Sequence, residues 1–154
     1  MYNRCKIFRR IGSYLLFSLF VFTAISWKVI QTDELKWIQK VLSASYNQAA
    51  DTGLKKWDLT VTLDGFFRLR KHFTSGKQEY FSFNLKRVSD IDFDGTLNSG
   101  DIIFTTSEDD IIVQTYNDPK GNIDSMTSIL SLPVIDVKPE QIDSLKNNIS
   151  MFKH

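Results

Sequence analysis

Residues 11–27, IGSYLLFSLFVFTAISW, carry no charged side chain, and the ten residues before them, MYNRCKIFRR, carry Arg4, Lys6, Arg9 and Arg10 with no acid. A run this apolar cannot also supply the polar surface of a folded domain, so it removes itself from the globular part and sets the topology. Basic residues resist translocation, which keeps residues 1–10 in the cytoplasm and sends everything after Lys28 outward, into a periplasmic or extracellular space. Two readings of residues 11–30 stand side by side. As a signal anchor they are a transmembrane helix at the short end of the spanning range, with Trp27 and Lys28 suited to the interface. As a cleaved signal peptide they carry small residues, Ala24 and Ser26, where a peptidase would cut before Trp27, leaving a secreted chain. Cys5 is the one cysteine and lies in the leader, so the exported part has no thiol, disulfide or multi-cysteine metal chemistry, and no cysteine follows the apolar run to carry a lipid.

Residues 31–56 have Leu35, Ile38, Val41, Leu42, Tyr46 and Ala49 at helical spacing, with Thr32 as a cap, Asp33 and Glu34 at the positive end of the dipole and Gly53 as a stop. They read as an amphipathic stalk helix whose apolar face packs on its own domain or on another chain. At Trp57 the period changes from helical to two. Trp57, Leu59, Val61 and Leu63 alternate with polar residues, Asp64-Gly65 is a hairpin turn, and Phe67, Leu69 and Phe73 continue one face of the returning strand. Phe81, Phe83 and Leu85 mark a third strand, and residues 102–106 and 111–116 a further pair. Residues 121–132 read as holding a short helix and 134–138 as an edge strand. Pro139 opens a helix with Ile142, Leu145, Ile149 and Phe152 on one face. The expected fold is α+β: a transmembrane helix and stalk, then an antiparallel β-meander or small sandwich over residues 57–154, closed by a C-terminal helix.

The densest chemistry lies at residues 90–101, DIDFDGTLNSGD. Counting Asp90 as the first position, oxygen donors fall at 1, 3, 5, 9 and 12, glycine at 6, and the Thr96 carbonyl at 7. Calcium takes six to eight oxygens at about 2.3–2.6 Å, which a loop of this spacing can wrap around one point. These twelve residues resemble an EF-hand loop, and more closely a dockerin-type loop, with its aliphatic eighth residue (Leu97), asparagine at the ninth and aspartate at the twelfth. That resemblance implies Asp90, Asp92, Asp94, Thr96, Asn98 and Asp101 as Ca²⁺ ligands. The chain departs from dockerins in having one loop, followed by a strand-like IIFTT. A plainer reading competes with it: a hairpin in which Ile91 and Phe93 point inward, the aspartates are solvated and Asp94-Gly95 is a turn. The segment DFDGTL also resembles the first motif of haloacid dehalogenase-like phosphatases, but no apolar strand precedes it and too little chain follows for the remaining motifs.

Elsewhere Arg68, Arg70 and His72 share one face of the second strand, suited to solvent, to an acidic partner or to lipid headgroups. Outside the leader the chain is net acidic by three charges, which argues against nucleic acid. Asn148-Ile149-Ser150 matches a glycosylation triplet on the terminal helix. With two histidines, His72 and His154, and no nucleophile–base set, the residues point to a membrane-held, extracytoplasmic interaction or accessory protein, not an enzyme, with a protein partner met through the stalk or the β-rich domain. A pilin-like filament subunit, lacking the usual glutamate after Gly12, and a secreted hydrolase or ligand carrier are the alternatives.

Overall fold

Alternation of period two accounts for most of the architecture, and the places where it stops mark the turns. The computed structural model describes residues 33–96 and 98–153. The expected leader and apolar span therefore lie outside the described residues, and among those described no helix is long and apolar enough to cross a membrane. The chain divides into two compact units, Met1–Glu34 and Leu35–His154, and the second is the subject here.

Helix α1 runs through 33–45 and buries Leu35, Ile38, Val41 and Leu42, so its apolar face is satisfied within its own unit. It ends well short of the expected residue 56. Tyr46 bridges Val134, the Asn47 N–H donates to the Pro133 carbonyl at 2.9 Å, and residues Gln48–Ala50 form a 3₁₀ turn that the Asn47 side chain caps. Gly53, expected to stop the helix, instead turns the chain into the first strand with φ +78°.

Eight strands follow: β1 (Leu54–Val61), β2 (Phe66–Phe73), β3 (Gln78–Asn84), β4 (Val88–Gly95), β5 (Ser99–Thr106), β6 (Ile111–Tyr116), β7 (Asp124–Thr127) and β8 (Ile129–Ile135). They build a five-stranded sheet, β1-β2-β3-β6-β7, and a three-stranded sheet, β4-β5-β8, antiparallel throughout. The chain passes between sheets at β3–β4, β5–β6 and β7–β8, the last through Ser128 alone. There the Thr106 N–H donates to the Ser128 carbonyl at 2.8 Å and the Thr106 hydroxyl to the Glu108 carbonyl at 2.6 Å, which holds the corner. Residues 121–132 thus hold β7 and the start of β8, not the expected short helix. Ile123, Met126 and Leu130 imitate helical spacing, but the alternation of buried Leu130, Leu132 and Val134 decides the conformation. The first hairpin also closes earlier than expected, through residues 62–65, leaving Leu63 71% exposed in the loop.

Both sheets and both helices share one core. Phe104 of β5 meets Phe67 of β2 and Phe83 of β3 at ring separations of 5.8 and 5.4 Å, joining the sheets, and burying each such ring contributes about 1.5–3 kcal/mol. Helix α2 (Pro139–Phe152) begins at its proline and buries Ile142, Leu145, Ile149 and Phe152. Phe152 explains Gly65: at φ +84° a Cβ there would lie 2.2 Å from the ring. The α+β class, the antiparallel sheets and the closing helix agree with the sequence.

Candidate functional site

The acidic segment folds as a hairpin of β4 and β5. Asp90, Asp92 and Asp94 follow the strand repeat on the exposed face, while Ile91 is buried and Phe93 half-buried against the core. Alternate residues on a strand stand about 6.7 Å apart, so the first and third carboxylates are separated by about 13 Å of strand, far more than the oxygen shell of one calcium ion spans. Asp101 pairs directly with Asp94 across the strands, and Gly95 with Gly100, where a Cβ on Gly95 would meet the Gly100 Cα at 2.4 Å. The Thr96 N–H donates to the Ser99 carbonyl at 2.9 Å, and the Asn98 carbonyl accepts from Asp136 N–H at 3.4 Å. Leu97 lies outside the described residues. Of the six candidate ligands the fold brings Asp94 and Asp101 together and strings the others along the hairpin. Among the described residues no group of three or more His, Cys, Asp or Glu is arranged to hold a metal ion.

The carboxylates have other work. Asp90 Oδ1 accepts the Ile91 N–H and Asp92 Oδ1 the Phe93 N–H, both at 2.8 Å. Basic residues distant in sequence also reach the acids of this region. Arg87 pairs with Glu108 and Asp110 at 2.9 Å each, and Lys77 pairs with Asp118 at 2.9 Å. These contacts, Asp110 first, raise the Arg87 guanidinium further above its ordinary value. Asp118 is held below the usual carboxylate range, chiefly by the Lys120 backbone N–H and then by Lys77. Asp90 shares a shallow recess of about 160 Å³ with Lys146 of α2 and Lys153 just beyond its end.

Strand β2 splits its cations by alternation. Lys71 points inward, 7% exposed, and its ammonium lies 2.7 Å from Asp51 Oδ2 and 5.6 Å from the centre of the Phe81 ring. The Tyr46 hydroxyl donates to the same Asp51 carboxylate, and its pKa is driven well up, first by burial and then by that bond and the charges of Asp51 and Glu79. Trp57 packs on Tyr46 at 4.6 Å and donates its indole N–H to Gln48. This is a closed, mutually satisfied network.

Arg68 and Arg70 point outward, with His72 on the same face, as the alternation predicted. What the sequence did not reveal is their company. The register sets Arg70 beside Tyr80 of β3, with the guanidinium 5.5 Å from the ring centre, and Tyr80 beside Gln114 of β6. Tyr116 donates to Gln114 at 2.9 Å, and the Gln114 amide donates to Asp124 of β7 at 3.0 Å. Arg70, Gln78, Tyr80, Gln114, Tyr116 and Asn117 line an open hollow of about 510 Å³ on this face. Only the strand order could have revealed it, because its residues come from three strands.

No family model matches this chain, and neither the curated proteins nor the solved structures contain a match to it.

Proposed function

We propose that this protein is an extracytoplasmic interaction or accessory module, held to a membrane by residues 11–30, that meets a partner through the outer face of its five-stranded sheet. The observation that carries the reading is the composition of that face. Arg70, Tyr80 and Tyr116 surround an open hollow with amide groups from Gln78, Gln114 and Asn117 between them, and Arg68 stands on the same face of β2. Arginine and tyrosine are the side chains most often responsible for binding energy at protein interfaces, since each offers a large rigid surface with a polar end. The lysine on the inner side of β2 is by contrast spent on Asp51, so the free cations of the strand are displayed, not enclosed.

Site-specific photo-crosslinking in cells tests this. A crosslinker at Tyr116 in the full chain should capture one discrete partner, and Arg70→Glu should abolish the product, while a crosslinker at Leu63 captures nothing comparable. Equal labelling from both positions, or indifference to Arg70→Glu, would overturn the reading. A phosphatase reporter fused after His154 should be active outside the cytoplasm; an inactive one would overturn the topology.

Calcium enters the proposal in a narrower form than the loop resemblance implies. The cross-strand pair Asp94 and Asp101 places like charges opposite one another, an arrangement that a divalent cation relieves. A two-carboxylate site of this kind is weak, in the millimolar range of extracellular modules. Calorimetry with Asp94→Asn as the control decides it: heat lost in the variant supports the site, and no heat from the native chain at millimolar calcium removes it.

A further inference from the structure

The two sheets have four outer strands, β1 and β7 in one and β4 and β8 in the other. An outer strand leaves half its backbone groups unpaired and invites another strand unless it is guarded. Three of the four carry charged, capped or covered edges, whereas β7, at four residues, has only its shortness. On β1 the outward N–H of Val61 donates to Gln39 of α1 at 3.0 Å, and the strand carries Lys55, Lys56, Asp58 and a register shift between Leu54 and Lys56. On β4 the ladder sets Asp90, Asp92 and Asp94 toward β5, so the N–H groups of Ile91 and Phe93 point outward, and these are the two that Asp90 and Asp92 cap. On β8 the edge is covered by Tyr46 and Asn47, and Pro133 has no N–H to offer.

Strand β7 differs. The Thr115 N–H donates to the Ile123 carbonyl, so by antiparallel alternation Ser125 and Thr127 face β6 while the N–H and C=O groups of Asp124 and Met126 point away from the sheet. No lysine, arginine or proline lies between Gly121 and Leu132, and no register shift interrupts the β6–β7 ladder. Exposed apolar side chains lie on and beside this edge: Met126 and its cross-strand partner Ile112 share the outer face, Ile123 precedes the strand, and the three are 36–56% exposed.

We propose that β7 pairs antiparallel with β7 of a second copy of this chain, about a two-fold axis through Ser125, joining two five-stranded sheets into one of ten strands. The argument for a second copy is self-complementarity. A two-fold axis at Ser125 sets Asp124 opposite Met126 of the second copy and the reverse, so all four outward groups on each strand find partners. β7 has four residues before the Ser128 corner ends it, and a strand of that length is what another β7 supplies. The outer face gains as well. Met126 of each copy becomes a diagonal neighbour of the other, about 7–8 Å apart and beside its own Ile112, while Asp124 stays tied to Gln114. The edge carries one acid and no base, and the same axis makes the two Asp124 residues diagonal neighbours too, each carboxylate accepting from its own Gln114. This proposal concerns the edge and stands whether or not the outer face binds anything.

Cysteine crosslinking of the full chain in mild detergent, on a Cys5→Ser background, tests it. The axis sets two Ser125 residues opposite each other as a pair without hydrogen bonds, about 4.5 Å between Cα atoms, within the range a disulfide accepts. Ser125→Cys should form a dimer on a non-reducing gel at least tenfold more extensively than Lys56→Cys on the β1 edge. Adding Met126→Lys, or Met126→Pro, which deletes an N–H that β6 does not use, should return it to the Lys56→Cys level; a circular dichroism melt identifies any variant that fails to fold. Equal crosslinking at the two edges, or crosslinking that survives both Met126 substitutions in folded protein, overturns the proposal. A Ser125→Cys chain that stays monomeric but links to a different protein overturns it too and assigns the edge to that partner.

Discussion

Strands β4 and β7 are both outer strands, yet the chain treats them in opposite ways. β4 places an aspartate at every second position, and two of those carboxylates fold onto the next backbone N–H, the groups a foreign strand would seek. β7 offers Asp124-Ser125-Met126-Thr127, with one acid that is already occupied by Gln114, and leaves its outward groups available beside the exposed Met126 and Ile112. The difference teaches that the acidic run is explained as much by edge protection as by ion binding, and that the bare edge stands out because the others are guarded.

The largest effect comes from breaking the frame that holds both edges. Phe104→Ala removes the ring that joins the sheets and should cost about 3–5 kcal/mol, read as a lowered urea midpoint with faster amide exchange at β4 and β7 together. Next, Asp51→Ala would leave the Lys71 ammonium buried without its partner, at a cost of about 3–5 kcal/mol scaled down for the 20% exposure of Asp51; Lys71→Met made with it should recover much of the loss. Both edges should survive that double change, because it lies on the inner side of β2. The third prediction converts one edge into the other. Asp90→Ala with Asp92→Ala uncovers the Ile91 and Phe93 N–H groups and should produce concentration-dependent association in sedimentation velocity that Met126→Lys does not suppress. If the double variant made together with Met126→Lys associates no more than Met126→Lys alone, the carboxylates are not guards.

The smallest effect concerns pH. Asp118 has a folded-state pKa below its ordinary value, so its contribution to stability is complete above the ordinary carboxylate range and is lost as pH falls through the lowered value. Thermal melts should therefore decline on acidification by a small step that Asp118→Asn removes. The step should leave the contrast between the edges intact, since Lys77 and Asp118 lie on neither.

Much of this fold was legible because burial enforces alternation. The β1–β2 hairpin, the β5 and β6 strands, the buried face of α1 and the whole of α2 follow from spacing, and so does the outward placement of Arg68, Arg70 and His72. The end of α1 was not legible, since Tyr46 and Asn47 leave helical form to pair with β8, a strand nearly ninety residues away. Nor was the crossing between sheets at Ser128, whose carbonyl is held by Thr106, twenty-two residues earlier in the chain. The acidic run shows the limit most clearly. Positions 1, 3 and 5 of a calcium loop and three successive outward positions of a strand are the same pattern of alternate aspartates. What separates the two is the burial of Ile91 and the partial burial of Phe93, which only the packed core reveals. The hollow beside Arg70 was hidden for a related reason, because Tyr80 and Tyr116 meet it through strand order.

Hydrogen exchange read by mass spectrometry on the full chain measures both edges in one experiment. The account predicts that peptides covering 122–128 gain protection as protein concentration rises, while peptides covering 88–95 exchange at a rate independent of concentration, and that Met126→Lys removes the gain. Exchange at 122–128 that ignores concentration would contradict it.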